Sequence, residues 1–163
     1  RVLFRSPVIA MMEGRAVAGG CMMAAACDFR LIAPEARIGI PEMRVGVPLP
    51  MMAIEIMRFV ANTKDFQAVV NVGRMFEGGE AVAAGLANEV VSKAKLPTRA
   101  DQVAEEFGEI PAAAFRMTKQ QSRAPVMRQV AENRAAFFAE YLKIWRSPVT
   151  RASIQRYVAE RLG

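Results

Sequence analysis

Apolar positions crowd the first part of the chain in short runs. Pro7-Val8-Ile9-Ala10-Met11-Met12 is nearly continuous and closes at Gly14, the pattern of a strand buried on both faces. Ala18-Gly19-Gly20 reads as a tight loop. Cys21–Cys27 behind it is small or apolar throughout, which predicts a short helix buried all round. Phe29–Ala33 alternates as a strand does, and Ala36–Ile40 is a second short strand stopped by Pro41. Pro48 and Pro50 make a rigid corner before an apolar helix at Met51–Val60. Asn62 stands where it would cap the next helix, with Asp65 in the first turn. Glu80–Ala84 is a short helix ending at Gly85, and Glu89–Ser92 a strand. Strand and helix alternate throughout this part.

The pattern changes near Leu96-Pro97. Beyond it the spacing predicts only helices: Ala100–Phe107, Ala112–Ser122, Val126–Trp145 and Val149–Leu162. Pro111, Pro125 and Pro148 each fall at or near a first turn, where a missing N–H costs nothing, and Ser147 suits the last cap. Val126, Val130, Phe137, Tyr141 and Trp145 line one face of the long third helix. The expected fold class is therefore α/β over residues 7–98, followed by an α-helical region over residues 99–163. Arg1–Ser6 corresponds to the translation of a sequencing-adapter string, so it is read as a non-native scar, with the chain entering its fold partway through.

Composition narrows the chemistry. Hydrophobic residues make up 53% and charged residues 23%, a balance that supports a packed core over disorder. No apolar run has the length of a membrane span, and no secretory leader is legible, so the expected compartment is cytoplasmic or an organelle matrix. Histidine is absent, which excludes Ser-His-Asp and Cys-His nucleophiles, HExxH zinc sites and His-ligated haem. Acid–base work then falls to carboxylates, Lys, Tyr or Cys. Cys21 and Cys27 have neither metal nor CxxC spacing and read as buried free thiols; no metal site is expected. The net charge of +6 is scattered among Glu and Asp on helical faces, which argues against nucleic acid as a partner.

The stretch from Pro7 to Pro50 carries more. It reads PVIAMMEGRAVAGGCMMAAACDFRLIAPEARIGIPEMRVGVPLP and resembles the crotonase (enoyl-CoA hydratase/isomerase) signature. The matching positions are Pro7-Val8-Ile9-Ala10, Gly14, Ala18-Gly19-Gly20-Cys21, Ala24, Ala26-Cys27-Asp28, Arg30, Ala33, Ala36, Gly39, Pro41-Glu42 and Gly46. A lone Gly-Gly is only a tight turn, whereas this many matches in one register is specific. The resemblance continues more weakly through Gly85 and Glu89–Val91 to Tyr157–Leu162.

The resemblance implies a spiral of stacked ββα turns, completed by helices that build a homotrimer or hexamer. It implies an acyl-CoA thioester as substrate, with no separate cofactor. Gly19 would supply one oxyanion amide, since neither Gly19 nor Gly20 has a Cβ to hold a ligand off. Glu42, otherwise an ordinary loop carboxylate, would carry protons beside the thioester carbonyl. Ala18, Gly20, Met22 and Met51 would line the substrate, although core filling is the commoner role of thioethers such as Met51 and Met52. One departure is informative. Hydratases of the family carry a second Glu immediately after Gly-Gly-Cys, and here that position is Met22, which cannot take a proton from water. A single carboxylate suits a 1,3-proton shift, as in Δ3,Δ2-enoyl-CoA isomerases. The loop Val47-Pro48-Leu49-Pro50 also departs from the Gly-rich run of the family. A hydratase with a replacement acid elsewhere, and a non-catalytic or RNA-binding homologue, remain as alternatives.

Overall fold

The computed structural model describes residues 6–161. Its frame is two parallel strand pairings that repeat one after the other. Strand β1 (Ile9–Met12) pairs with β3 (Phe29–Ile32) in the register Ile9↔Phe29 to Met12↔Ile32. Strand β2 (Arg15–Val17) pairs with β4 (Arg37–Gly39) in the register Arg15↔Arg37 to Val17↔Gly39. Helix α1 (Gly19–Ala25) connects one β–β unit to the next. Each unit thus lays its first strand in one sheet and its second in the other, which is the stacked ββα spiral expected.

Beyond β4 come a 3₁₀ turn (Pro41–Val45), α2 (Met51–Val60) and α3 (Thr63–Val70). Strand β5 (Phe76–Glu77) adds antiparallel to β4; after α4 (Gly78–Ala83), strand β6 (Glu89–Val90) adds parallel to β3. The two three-stranded sheets are therefore β1-β3-β6 and β2-β4-β5. Leu31, Ile32, Ile38, Ile40, Phe76 and Leu86 are fully buried between the sheets and the helices around them. At Gly39 a Cβ would stand 2.8 Å from the Arg74 carbonyl oxygen, so the backbone approach there excludes any other residue.

A second 3₁₀ turn (Lys93–Lys95) leads to α5 (Leu96–Gly108), α6 (Ala112–Trp145) and α7 (Pro148–Arg161). The helical character of this part is as read from the sequence, but its division differs. Pro125 lies inside α6, so the two helices expected on either side of it are one. Pro125 and Gln121 are both exposed, which leaves the Gln121 carbonyl accessible to water in place of the missing donor. Ser147 caps α7 as expected, its Oγ accepting the Thr150 N–H at 3.1 Å.

Other expectations needed correction. Strands β2 and β5 are too short for periodicity to reveal. Gly19 and Gly20 open α1 instead of forming a loop before it. Asn62 precedes α3, but its side chain donates to the Ala83 carbonyl, so it ties α3 to α4 without capping. Cys21 is buried, whereas Cys27 is half-exposed. The apolar face of α6 is only partly covered: Val130 is buried, while Phe137 and Trp145 are 58% and 42% exposed. Thirty-four residues at a rise of 1.5 Å give roughly 50 Å of helix, longer than the ten residues of α2, against which it packs, can cover. The reading of Arg1–Ser6 falls on residues 1–5, outside those described, and on Ser6. Leu162, the end of the last expected helix, is also outside.

Helix α6 is anchored by charge. Asp28, just before β3, accepts the Val8 N–H at 2.8 Å, Lys119 Nζ at 2.5 Å and Arg123 Nη2 at 2.8 Å. Lys119 also donates to the Ser6 carbonyl and is buried, and the Asp28 side chain is 9% exposed. Breaking one side of such a pair strands the other charge away from water. Asp28→Asn should therefore destabilise the chain by about 3–5 kcal/mol in urea unfolding. A loss near that of an exposed pair, below about 1 kcal/mol, would mean that water reaches Lys119.

Candidate functional site

Strands β2 and β4 end side by side at the Val17↔Gly39 pair, so the chain leaves both at one edge. Open parallel sheets place ligands beyond such carboxyl ends. The Ala18 N–H donates to the Gly39 carbonyl at 3.0 Å and pins the two exits together. Ala18 then turns at φ 54° and ψ −120°, the one non-glycine with positive φ among the described residues. A conformation so sparsely populated costs about 1–3 kcal/mol and is held by the surrounding structure.

That turn aims the start of α1. The Ala18 carbonyl accepts the Met22 N–H at 3.1 Å, while the earlier amides, Gly19 and Gly20 among them, precede the first helical acceptor. No side chain caps this end. A Cβ at Gly19 or Gly20 would meet nothing within 4 Å, and neither residue has positive φ. Packing among the described residues thus gives no reason for glycine at either position. The two glycines leave open space in front of backbone N–H groups.

Glu42 sits in the 3₁₀ turn that follows β4. It is half-buried, and its Oε2 is out of solvent with no hydrogen-bond partner. Burial raises its pKa above the ordinary 4.5, against the opposing pull of its own backbone N–H. Cys21, on α1, is pushed up to about 12, first by burial and next by the negative charge of Glu42. Glu42 therefore lies near enough to α1 for its charge to act on Cys21. The turn itself is closed by Gly46 at φ 71°, with the Val47 N–H donating to the Glu42 carbonyl at 3.0 Å. From the far end of the chain, Thr150 on α7 donates its hydroxyl to the Gly46 carbonyl at 3.2 Å.

Of the residues singled out from sequence, Ala18, Gly19 and Gly20 lie at the β2 exit and Glu42 at the β4 exit. Met22 is half-buried on α1 and packs against the core. Met51 opens α2, which packs against α1, and is itself half-buried. The strain at Ala18 and the reach of Thr150 were not legible in the sequence. Asp28 was visible in the signature, and the i,i+4 spacing of Lys119 and Arg123 was the remaining clue to the ion cluster. Cavities of about 250 and 600 Å³ lie elsewhere: Arg30 and Lys119 help line the first, Glu89 and Arg99 the second. Among the described residues, no cluster of three or more His, Cys, Asp or Glu could hold a metal ion, and no helix is long and apolar enough to cross a membrane.

A spiral of ββα units thus carries an uncapped helix start at one strand exit and a half-buried glutamate at the other. The enoyl-CoA hydratase/isomerase family model matches residues 3–162, and the chain belongs to that family. The match begins inside the stretch read as a scar. Rat enoyl-CoA delta isomerase 1, a mitochondrial protein, is 26% identical over 91% of this chain and 51% of its own length. The short-chain-enoyl-CoA hydratase of Clostridium acetobutylicum is 28% identical over 72% of this chain and 45% of its own. The apo structure of an enoyl-CoA isomerase of Mycobacterium tuberculosis superposes with a TM-score of 0.80 at 28% identity, covering 85% of this chain and 61% of that one. The chain spans about half the length of the curated relatives it matches.

The raised carboxyl of Glu42 has a consequence for stability. A group whose folded-state pKa lies above its unfolded value favours the folded state below the unfolded pKa, and this contribution is lost as pH rises through the folded pKa. Glu42→Gln should therefore stabilise the chain relative to wild type at neutral pH, with the advantage shrinking as pH falls from the raised value toward 4.5. Urea midpoints at neutral and acidic pH give the check. An advantage independent of pH would mean that the Glu42 carboxylate is fully solvated.

Proposed function

We propose that this chain carries the catalytic carboxylate and one oxyanion donor of an enoyl-CoA isomerase. The observation that bears most weight is Glu42: a partly buried carboxylate with an unpartnered oxygen, electrostatically coupled to the helix that Gly19 opens. In this reading the thioester carbonyl of a 3-enoyl-CoA accepts the Gly19 N–H, with Ala18, Gly20 and Met51 around the substrate. Glu42 removes a proton from C2, and the electron pair spreads over the carbonyl and the C3–C4 double bond as a dienolate. The protonated Glu42 returns the proton at C4, giving the 2-enoyl-CoA with no net gain or loss. A preorganised donor at the oxyanion contributes about 3–4 kcal/mol in such sites, and partial burial, which raises the Glu42 pKa, makes its carboxylate a better proton acceptor.

Met22 separates this reading from hydration, which the name of the Clostridium relative keeps in view. Adding water across the 2,3 double bond calls for a group that activates the water, and a thioether cannot accept its proton. The test uses the chain extended to the length of its relatives. Wild type should convert a 3-enoyl-CoA to the conjugated 2-enoyl-CoA with little further hydration, and Glu42→Gln should abolish the conversion. Met22→Glu should introduce measurable hydration, well below that of a natural hydratase because its water site is untuned. Absorbance of the conjugated thioester separates the outcomes: isomerisation creates the chromophore and hydration removes it. Brisk hydration by wild type would overturn the single-glutamate reading.

The exposed apolar residues of α6, Phe137, Phe138 and Trp145 among them, favour assembly into a homotrimer or hexamer. In the same extended chain, truncation after Thr98 should yield monomers by light scattering. An unchanged subunit count would assign those residues another role.

A further inference from the structure

We infer that a second site, apart from the Gly19–Glu42 face, binds a small oxyanion such as a phosphoryl group in the cavity where Arg30, Lys119 and Arg123 converge. The cavity has a volume of about 250 Å³ and is lined by these three cations, by Asp28 and Ser122, and by Phe59 on its apolar side. Three positive charges face one carboxylate.

That carboxylate is already committed. Asp28 accepts the Val8 N–H, Lys119 and Arg123, and it makes no hydrogen bond to Arg30. Arg30 is only 8% exposed, and its one side-chain hydrogen bond among the described residues runs from Nη1 to the Cys27 carbonyl at 3.1 Å. Its Nε is shut off from solvent without a partner. A buried guanidinium normally brings a counter-charge and fills most of its five N–H donors. Here no carboxylate among the described residues bonds it; burial pulls its pKa down, opposed in part by Cys27 and Asp28 and reinforced by Arg123.

The donors that remain suit an anion with several oxygens. Lys119 spends two of its three hydrogens on Ser6 and Asp28, and Arg123 spends one nitrogen on Asp28. Lys119 also stands 5.5 Å over the Phe115 ring, so the remaining nitrogens of Arg30 and Arg123, which line one cavity, are those a tetrahedral oxyanion engages through charge-assisted bonds. Small-molecule pockets run from about 300 to 1,000 Å³, so this cavity takes a group and not a whole cofactor. Free phosphate and a phosphoryl group on a larger ligand share this chemistry. The inference does not rest on the isomerase reading, since its readout is binding and not turnover.

The test is calorimetric titration and thermal melting of the chain with inorganic phosphate at constant ionic strength, with chloride as the reference. Wild type should bind one phosphate saturably and show a saturable rise in Tm. Arg30→Met and Arg123→Gln should each weaken binding by roughly tenfold or more, the loss of one charge-assisted bond. The less buried Arg123 variant keeps the test decisive if Arg30→Met fails to fold. Coenzyme A that displaces phosphate would identify a ligand-borne phosphoryl group, and phosphate binding unaffected by coenzyme A would identify the free ion. A linear rise in Tm shared equally by wild type and variants is the general effect of an excluded salt, and would overturn the proposal.

Discussion

The β2–β4 pairing is the constraint on which the rest of the molecule depends. It brings Val17 and Gly39 level, so two segments 22 positions apart leave the sheet at one edge. The Ala18–Gly39 hydrogen bond locks that edge, and the strained Ala18 turn converts a strand exit into a helix start whose amides face outward. Pro41 then ends β4 and begins the 3₁₀ turn that holds Glu42. A one-residue slip in this register would reverse every side chain of the strand and separate the two halves of the site. Gly39 opposes such a slip on the other side, because the Arg74 carbonyl and Met75 pack where any Cβ would stand.

The fold treats the carboxylates of Asp28 and Glu42 differently. Asp28 receives three donors, and the result is structural: β1, β3 and α6 are joined through one side chain. Glu42 is half-buried with an oxygen that nothing satisfies. An unsatisfied buried acceptor weakens the fold unless something else uses it, and such groups gather where chemistry is done. The same reasoning distinguishes Arg30 from its neighbours, as a buried cation beside a carboxylate whose hydrogen bonds go elsewhere.

The helical part does more than extend the chain. Helix α6 packs against α2 and is tied to Asp28 through Lys119 and Arg123, while its second half exposes large apolar side chains. Helix α7 returns to the site, where Thr150 holds the carbonyl of Gly46 at the close of the Glu42 turn. Residues more than a hundred positions apart thereby share responsibility for where one carboxylate stands.

By itself the sequence determined the alternation of strand and helix, the passage to an all-helical end near Leu96, and the Gly19–Gly20 and Pro41–Glu42 signature that points to the family. These are local properties: apolar runs, proline and glycine punctuation, and a motif in one register. Tertiary structure decided what local pattern could not carry. Strands β2 and β5 exist because neighbours supply hydrogen bonds to segments too short to show a period. Pro125 is tolerated within α6 because water can reach the carbonyl it leaves free. Asn62 turns to Ala83 because α4 lies beside it, where the local pattern had made it a cap. The exposure of Phe137 and Trp145 depends on how much of α6 its neighbouring helices cover, which no spacing encodes. Burial without a partner, which sets Glu42 and Arg30 apart, belongs to the whole packed chain: it depends on which groups distant segments bring close, and which they leave without a bond.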